Sequence, residues 1–333
     1  MGVSNWLWSE HFWLPERVEW SDFAPRMVDG KLIYFPQFHE LSYGLLFGFL
    51  LLFLRVFVES FIQLPAGYFL GYINLSKGQS VIDAGFRHFF GGCFVQSRFK
   101  RVAETVWRLV YYTGIWFIGL YVLHDQPQWN NIDDGWRNYP FHPVENKVWW
   151  YYMVQSGFYW SLLIGAFTID VKRSDFWEMV IHHVATLLLL SLSWTTNFVR
   201  VGTLVLICHD TADIFLDLGK LFRYAKWGRA LTVTFLILIV VWVVTRILLF
   251  PLIIIRSIIF AAPKTIQADY EWLNITQRPI VPRFFTCLLI TLLALHCFWT
   301  FLLFKVAYKS LQEGEDLNDI RESDSDEEKP KKE

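Results

Sequence analysis

His182 and His183 stand side by side inside one apolar run, and His209, Asp210, Asp213 and Asp217 follow about one membrane crossing later. Met179–Ile181 and Leu187–Leu190 flank the first pair, and Leu204–Ile207 precede the second group. Ionisable side chains at hydrocarbon depth are costly unless paired or neutral, so their presence marks a functional site. On a helix, His182 and His183 point about 100° apart and therefore perform different jobs, while Thr186 returns to the side of His182 one turn on. Asp210, Asp213 and Asp217 recur at three and four residues as one acidic stripe, with His209 beside it. A desolvated imidazole is neutral, nucleophilic and able to accept a proton, and a carboxylate beside it fixes its tautomer and stabilises the imidazolium. That combination acts on carbonyl carbon, through a covalent intermediate or as a general base. A metal site needs more ligands: His182-His183 lies in neither an HxxxH nor an HxxHH spacing, and His209 is the only third imidazole nearby. We expect no metal and no cofactor. Arg246, in a later apolar run, is expected to pair with the acidic stripe, meet a polar group of a substrate, or snorkel.

The elements that must position these groups are membrane helices. Hydrophobic residues make up 54% of the 333, aromatics 19% and charged residues only 18%, against about a quarter charged in soluble domains. The expected fold class is therefore all-α, a polytopic integral membrane protein. Runs near the roughly 20 residues needed to cross the hydrocarbon give about seven spans, near Leu41–Val58, Leu109–Leu123, Val148–Phe167, Glu178–Trp194, Val201–Gly219, Leu231–Ile255 and Phe284–Phe304. The short turn Thr195–Arg200 makes the fourth and fifth spans antiparallel neighbours, so the histidines and aspartates can meet. Four scattered cysteines form no disulfide framework and are expected to stay reduced. The net charge of -1 and the lack of a large basic block argue against nucleic acid as a partner. No secretory signal or myristoylation motif is expected at the amino terminus.

Basic residues set the orientation. Arg87, Arg98, Lys100, Arg101 and Arg108 precede the second span, Lys172 and Arg173 the fourth, and Lys220, Arg223, Lys226 and Arg229 the sixth. The positive-inside rule makes these connections cytosolic, with a luminal amino terminus and a cytosolic carboxyl terminus. Of two sequons, Asn74 falls in the cytosol and Asn274 in the lumen, where it is a glycosylation candidate. From Asp316 the chain is an acidic tail expected to be disordered. Ser323 and Ser325 each have an acidic residue three positions on, a pattern that suits phosphorylation by an acidophilic kinase. Lys329 and Lys331 resemble a retrieval signal for the endoplasmic reticulum.

The run Asp175-Phe176-Trp177-Glu178-Met179-Val180-Ile181-His182-His183-Val184-Ala185-Thr186, joined to His209-Asp210-Thr211-Ala212-Asp213, resembles the signature of ceramide synthases, the longevity-assurance branch of the TLC-type membrane proteins. The acidic tail Arg321–Glu328 is similar too. The resemblance implies seven transmembrane helices in the endoplasmic reticulum membrane. Six of them would form a TLC-type barrel around a central lipid tunnel, where a fatty acyl group passes from acyl-CoA to the amine of a sphingoid base. His182, His183, Asp210 and Asp213 would be catalytic, with His209, Thr186, Asp217 and Arg246 in support. Lys172, Arg173, Lys220 and Arg223 would meet coenzyme A phosphates at the cytosolic mouth. The implied organisation is a luminal segment 1–40, a first helix and basic connection 41–98, a catalytic membrane domain 99–309 and a tail 310–333, with a homo- or heterodimer open. Residues 61–100 are too short for the homeobox-like domain of many animal relatives, so no DNA binding is expected. The resemblance further assigns an influence on acyl-chain length to part of Arg256–Arg283. Other function classes are a lipid-binding or translocation-associated member of the same superfamily and an ion or proton transporter. The complete histidine and aspartate set argues against the first, the lack of an internal repeat against the second.

Overall fold

The computed structural model describes residues 9–28, 30–75, 78–267 and 269–313, so Ser323, Ser325 and the tail lie outside the described residues. Among the described residues, seven long helices form on the apolar runs: α1 Leu41–Val58, α2 Arg98–Leu123, α3 Asn146–Thr168, α4 Phe176–Thr195, α5 Val199–Tyr224, α6 Gly228–Trp242 and α7 Val281–Glu313. Among the described residues, five helical stretches are long and apolar enough to cross a membrane: Phe38–Phe69, Arg98–Leu123, Phe176–Thr195, Gly228–Ile266 and Val281–Ser310. The chain is thus a multi-pass, all-α membrane protein. α3 and α5 are of similar length but less apolar, because they carry inward-facing polar groups such as Gln155, His209 and Asp210.

Neighbouring helices run in a closed circuit. α2 packs on α3, α3 on α4, α4 on α7, α7 on the continuation of α6, and that continuation on α5, which returns to α2. α1 lies outside the circuit against α3, where small residues permit close approach. A Cβ on Gly48 would meet the Cβ of Trp160 at 2.6 Å and the carbonyl oxygen of Gly157 at 3.2 Å. In lipid such packing replaces the hydrophobic effect as the reason helices associate. Asn197, at φ 59°, turns the chain between α4 and α5, and its amide donates to the carbonyls of Pro140 (2.7 Å) and His142 (2.9 Å).

Beyond Trp242 the helix widens into π-helical turns over Val243–Ile255, with Pro251 inside. Proline has no N–H to donate and its ring crowds the preceding turn, which disfavours regular α geometry. π-helical turns are often found at functional sites, and this one carries Arg246.

Sequence reading placed α2 from Leu109, whereas it starts at Arg98. Ser97 caps it by accepting the Lys100 N–H at 3.1 Å, and Lys100 and Glu104 of its first turns are buried in ion pairs. Lys100 Nζ meets Glu59 at 2.5 Å, and Arg55 of α1 pairs with Glu59 (2.8 Å), Glu104 (3.2 Å) and Asp170 (2.6 Å). Lys100 is therefore a buried, paired cation rather than a solvated positive-inside charge. Removing one partner of such a group leaves an uncompensated charge, so it locks α1, α2 and the α3–α4 connection together.

One end of the helix circuit is closed by irregular chain. Residues 9–37 form a small cluster around Leu14, Phe23 and Phe35, with the short hairpin Arg26–Val28/Lys31–Ile33. The α2–α3 connection folds over the same end and buries Trp136 completely. All four cysteines are unpaired.

Candidate active site

α4 presents His182 and His183 to the interior, both buried, with ring centroids 5.5 Å apart and planes at 60°. The Tyr159 ring of α3 stands 6.5 Å from His182 and 6.2 Å from His183, and the Trp299 ring of α7 stands edge-on to His182 at 5.5 Å. Thr186 donates to the carbonyl of His182 at 2.8 Å, so it braces the helix rather than the imidazole.

The acidic stripe of α5 is split among four side-chain partners. Asp210 accepts from Gln155 Nε2 of α3 at 2.5 Å, and Tyr111 of α2 donates to the Gln155 oxygen at 3.3 Å. Asp213 accepts from Arg246 Nη2 at 3.0 Å. Asp217 accepts from Arg108 of α2 at 3.3 Å and from Lys220 at 2.8 Å. No hydrogen bond joins Asp210 or Asp213 to His182 or His183, and His182 Nδ1 and His183 Nδ1 have no partner among the described residues. The expected His–Asp pairing is absent; the donors that Asp210 and Asp213 meet stand on other helices.

Arg246 neither snorkels nor faces open solvent. Its guanidinium donates to the His209 carbonyl at 2.8 Å, to Asp213, and to Nε2 of His296 at 3.1 Å, and it lies 5.0 Å above the Trp242 ring. His209 Nδ1 donates to the Val205 carbonyl at 2.6 Å, which leaves Nε2 as the free lone pair. His296 stacks obliquely with His209 at 4.9 Å. Sequence reading missed His296 and Trp299. The first was findable, since Leu293–Cys297 encloses a histidine in an apolar run just as the α4 pair is enclosed.

Two cavities flank this cluster, and His182 lines both. The first is narrow and apolar, running from His182 past Thr186, Leu189 and Gly202 to Trp136, Phe198 and Phe285. The second is wider, with His182, His183, Asp213 and Arg246 at its base and Arg108, Arg173, Lys220, Arg223, Lys305 and Lys309 around it. Of the four expected mouth cations, Arg173, Lys220 and Arg223 line it, whereas Lys172 is exposed and does not. Arg108, Lys305 and Lys309 were not anticipated. Burial pushes the Asp175 carboxyl up, but two hydrogen bonds from Arg173, at 2.8 and 2.9 Å, prevail and hold it below its ordinary range. Asn274 is exposed on the α6–α7 connection, its side-chain oxygen accepting from Thr276 at 2.8 Å.

A buried histidine at the boundary between an oily chamber and a cationic vestibule suits transfer of an apolar group from an anionic carrier. The TLC domain model matches residues 101–305. The chain is also 42% identical over 317 residues to ceramide synthase hyl-2 of Caenorhabditis elegans, covering 95% of this chain and 93% of that one. The chain belongs to the ceramide synthase family. Ceramide synthase hyl-1 of the same worm is 39% identical, covering 96% of this chain and 84% of the relative. Human ceramide synthase 5 is 31% identical over 368 residues, covering 97% and 88%. In these terms the matched TLC domain holds the paired histidines, the acidic stripe and Arg246, while α1 with Arg55 and Glu59 precedes it.

Proposed function

We propose that this protein is an acyl-CoA-dependent sphingoid base N-acyltransferase that makes ceramide or dihydroceramide without a cofactor. The observation that carries the reading is the position of His182, the histidine that walls both the apolar chamber and the basic vestibule. The acyl tail occupies the chamber, and the nucleotide phosphates of coenzyme A meet the vestibule cations, which bind phosphate by charge-assisted hydrogen bonds.

The His182 imidazole attacks the thioester carbonyl carbon. The resulting tetrahedral adduct expels coenzyme A as thiolate and leaves an acyl-imidazolium. The sphingoid amine, deprotonated, then attacks the acyl carbon; the released imidazole takes the second amine proton, which passes to the thiolate. Asp213, which shares the vestibule with His182, receives the proton that the ammonium must lose, and Arg246 holds it in place. Holding both lipids in a water-poor site supplies the orientation that such transfers need. His183 and Asp210 shape the pocket from behind, Asp210 through Gln155 and Tyr111.

All seven long helices span the membrane in this reading, and the two cavities work as one path across the site. The vestibule faces the cytosol, where acyl-CoA is found, and the end closed by Trp136 faces the lumen of the endoplasmic reticulum. Asn274 then lies on the glycosylated side, and Ser323 and Ser325 in a cytosolic acidic tail. The test is amide formation by microsomes carrying wild type or His182→Ala at matched expression, supplied with sphinganine and acyl-CoA. Ceramide from wild type alone is expected. Equal product from both overturns the role of His182, and no product from either overturns the reaction.

A further inference from the structure

Trp136 belongs to a connection, yet it is among the largest fully buried side chains, at 1% exposure. It lines the far end of the apolar chamber together with Phe198, Ile258 and Phe285. Its ring stands edge-on to Phe198 at 5.2 Å. Its indole N–H donates to Ser257 Oγ at 2.9 Å, and that hydroxyl donates to Asp133 Oδ1 at 2.7 Å. One hydroxyl therefore accepts from the indole and donates to a carboxylate three residues earlier in the same connection. The relay fixes the indole across the chamber and ties it to the π-helical continuation of α6, which carries Ser257.

We propose that Trp136 is the floor of the acyl chamber and sets the longest acyl chain the enzyme accepts, a specificity role that rests on the acyl-transfer reading above. The chamber wall on α4 runs from His182 to Ser193, eleven residues, which at 1.5 Å per residue is a depth of about 16 Å. A fully extended chain advances roughly 1.2 Å per bond, since three backbone bonds cover about 3.6 Å. The floor is thus met by the portion of an acyl chain about a dozen carbons beyond the reacting carbonyl. Among the described residues of Arg256–Arg283, Ile258 alone lines this chamber, so the ruler sits mainly in the α2–α3 connection and touches the α6–α7 connection only through Ile258 and Ser257.

A hydrophobic pocket discriminates by roughly 10–200-fold for each methylene it accepts or rejects. Trp136→Ala is therefore expected to raise the ratio of long-chain to short-chain kcat/KM by about 10-fold or more and to move the preferred length upward. Trp136→Phe removes the N–H but keeps a ring, and Ser257→Ala frees the indole without removing it. Both are expected to broaden the profile toward longer chains by a smaller factor. The experiment supplies the full-length protein in microsomes with sphinganine and a ladder of saturated acyl-CoAs, and reads product chain length by mass spectrometry. Profiles that match wild type in active Trp136→Ala, or in both milder variants where the alanine variant is inactive, overturn the assignment and leave the transfer reaction standing. No N-acylated product from wild type overturns the reaction itself.

Discussion

Arg246 offers a quantitative test of how the site is held together. Its side chain is 3% exposed and satisfies Asp213, the His209 carbonyl and His296 at once. Arg246→Met keeps the length of the stem but leaves the Asp213 carboxylate without its cation. Breaking a buried pair from one side costs about 3–5 kcal/mol, because the remaining charge is uncompensated. Asp213 is 19% exposed, so water reaches it in part and the lower end of that range applies. Asp213→Asn alone leaves Arg246 with the His209 carbonyl and His296, and costs less. The double variant Arg246→Met/Asp213→Asn removes both charges, so its loss is expected to fall short of the sum of the two single losses by about 1–3 kcal/mol. The assay is denaturant unfolding of the purified full-length protein in detergent, followed by tryptophan fluorescence for all four species of the cycle. Additive losses within about 0.5 kcal/mol would refute the reasoning, since residues that do not interact add within that margin.

Three further outcomes follow from the geometry. A Cβ on Gly202 would come within 2.4 Å of the Tyr152 hydroxyl, which Ser193 holds by a hydrogen bond. Gly202→Ala is expected to cost about 1–3 kcal/mol of stability and to lower ceramide formation more with long acyl donors than with short ones. Arg223→Glu with Lys305→Glu places two anions in the vestibule. KM for acyl-CoA is expected to rise several-fold and become less salt-sensitive while KM for the sphingoid base holds. Equal effects on both substrates would place coenzyme A elsewhere. His142, in the α2–α3 connection, is pushed down to about 3 by burial and by the Arg200 charge. Its folded value lies below the unfolded one, so its contribution is intact above about pH 6.5 and is lost as pH falls toward 3. Between pH 7 and pH 4.5 wild type is expected to lose roughly 2–3 kcal/mol that His142→Leu does not. Identical acid sensitivity in the two refutes this.

The helices were legible because apolar runs are dictated by lipid whatever they pack against. Leu41–Val58 was located to the residue, as were the Leu123 end of α2 and the Ile255 end of the π-helical continuation of α6, while the remaining ends fell short by one to eleven residues. The missing turns are polar, as at Arg98–Arg108, where Lys100 and Arg108 turn inward because Glu59 and Asp217 arrive from helices distant in sequence. No local pattern carries that information. The acidic stripe was visible from its spacing, yet spacing on one helix says nothing about partners, and Asp210, Asp213 and Asp217 turn to three different helices or termini. The same limit applies to Arg246, whose partners His209 and His296 belong to α5 and α7. Trp136 was invisible for a different reason. It sits among Asp133, Asp134 and Arg137 in a stretch that reads as a solvated connection, and partners distant in sequence, Ser257 and Phe198 among them, draw it inward.

The central claim is that His182 carries the acyl group between donor and acceptor. Wild-type and His182→Ala protein, purified at full length, are mixed with acyl-CoA in the absence of sphingoid base, quenched with acid, and weighed intact. An added acyl mass on wild type, absent from His182→Ala and discharged to ceramide on adding sphinganine, is the predicted result. Wild type that forms ceramide at full rate yet never gains the acyl mass, even when quenched before the first turnover is complete, contradicts the account and leaves direct transfer with His182 as general base.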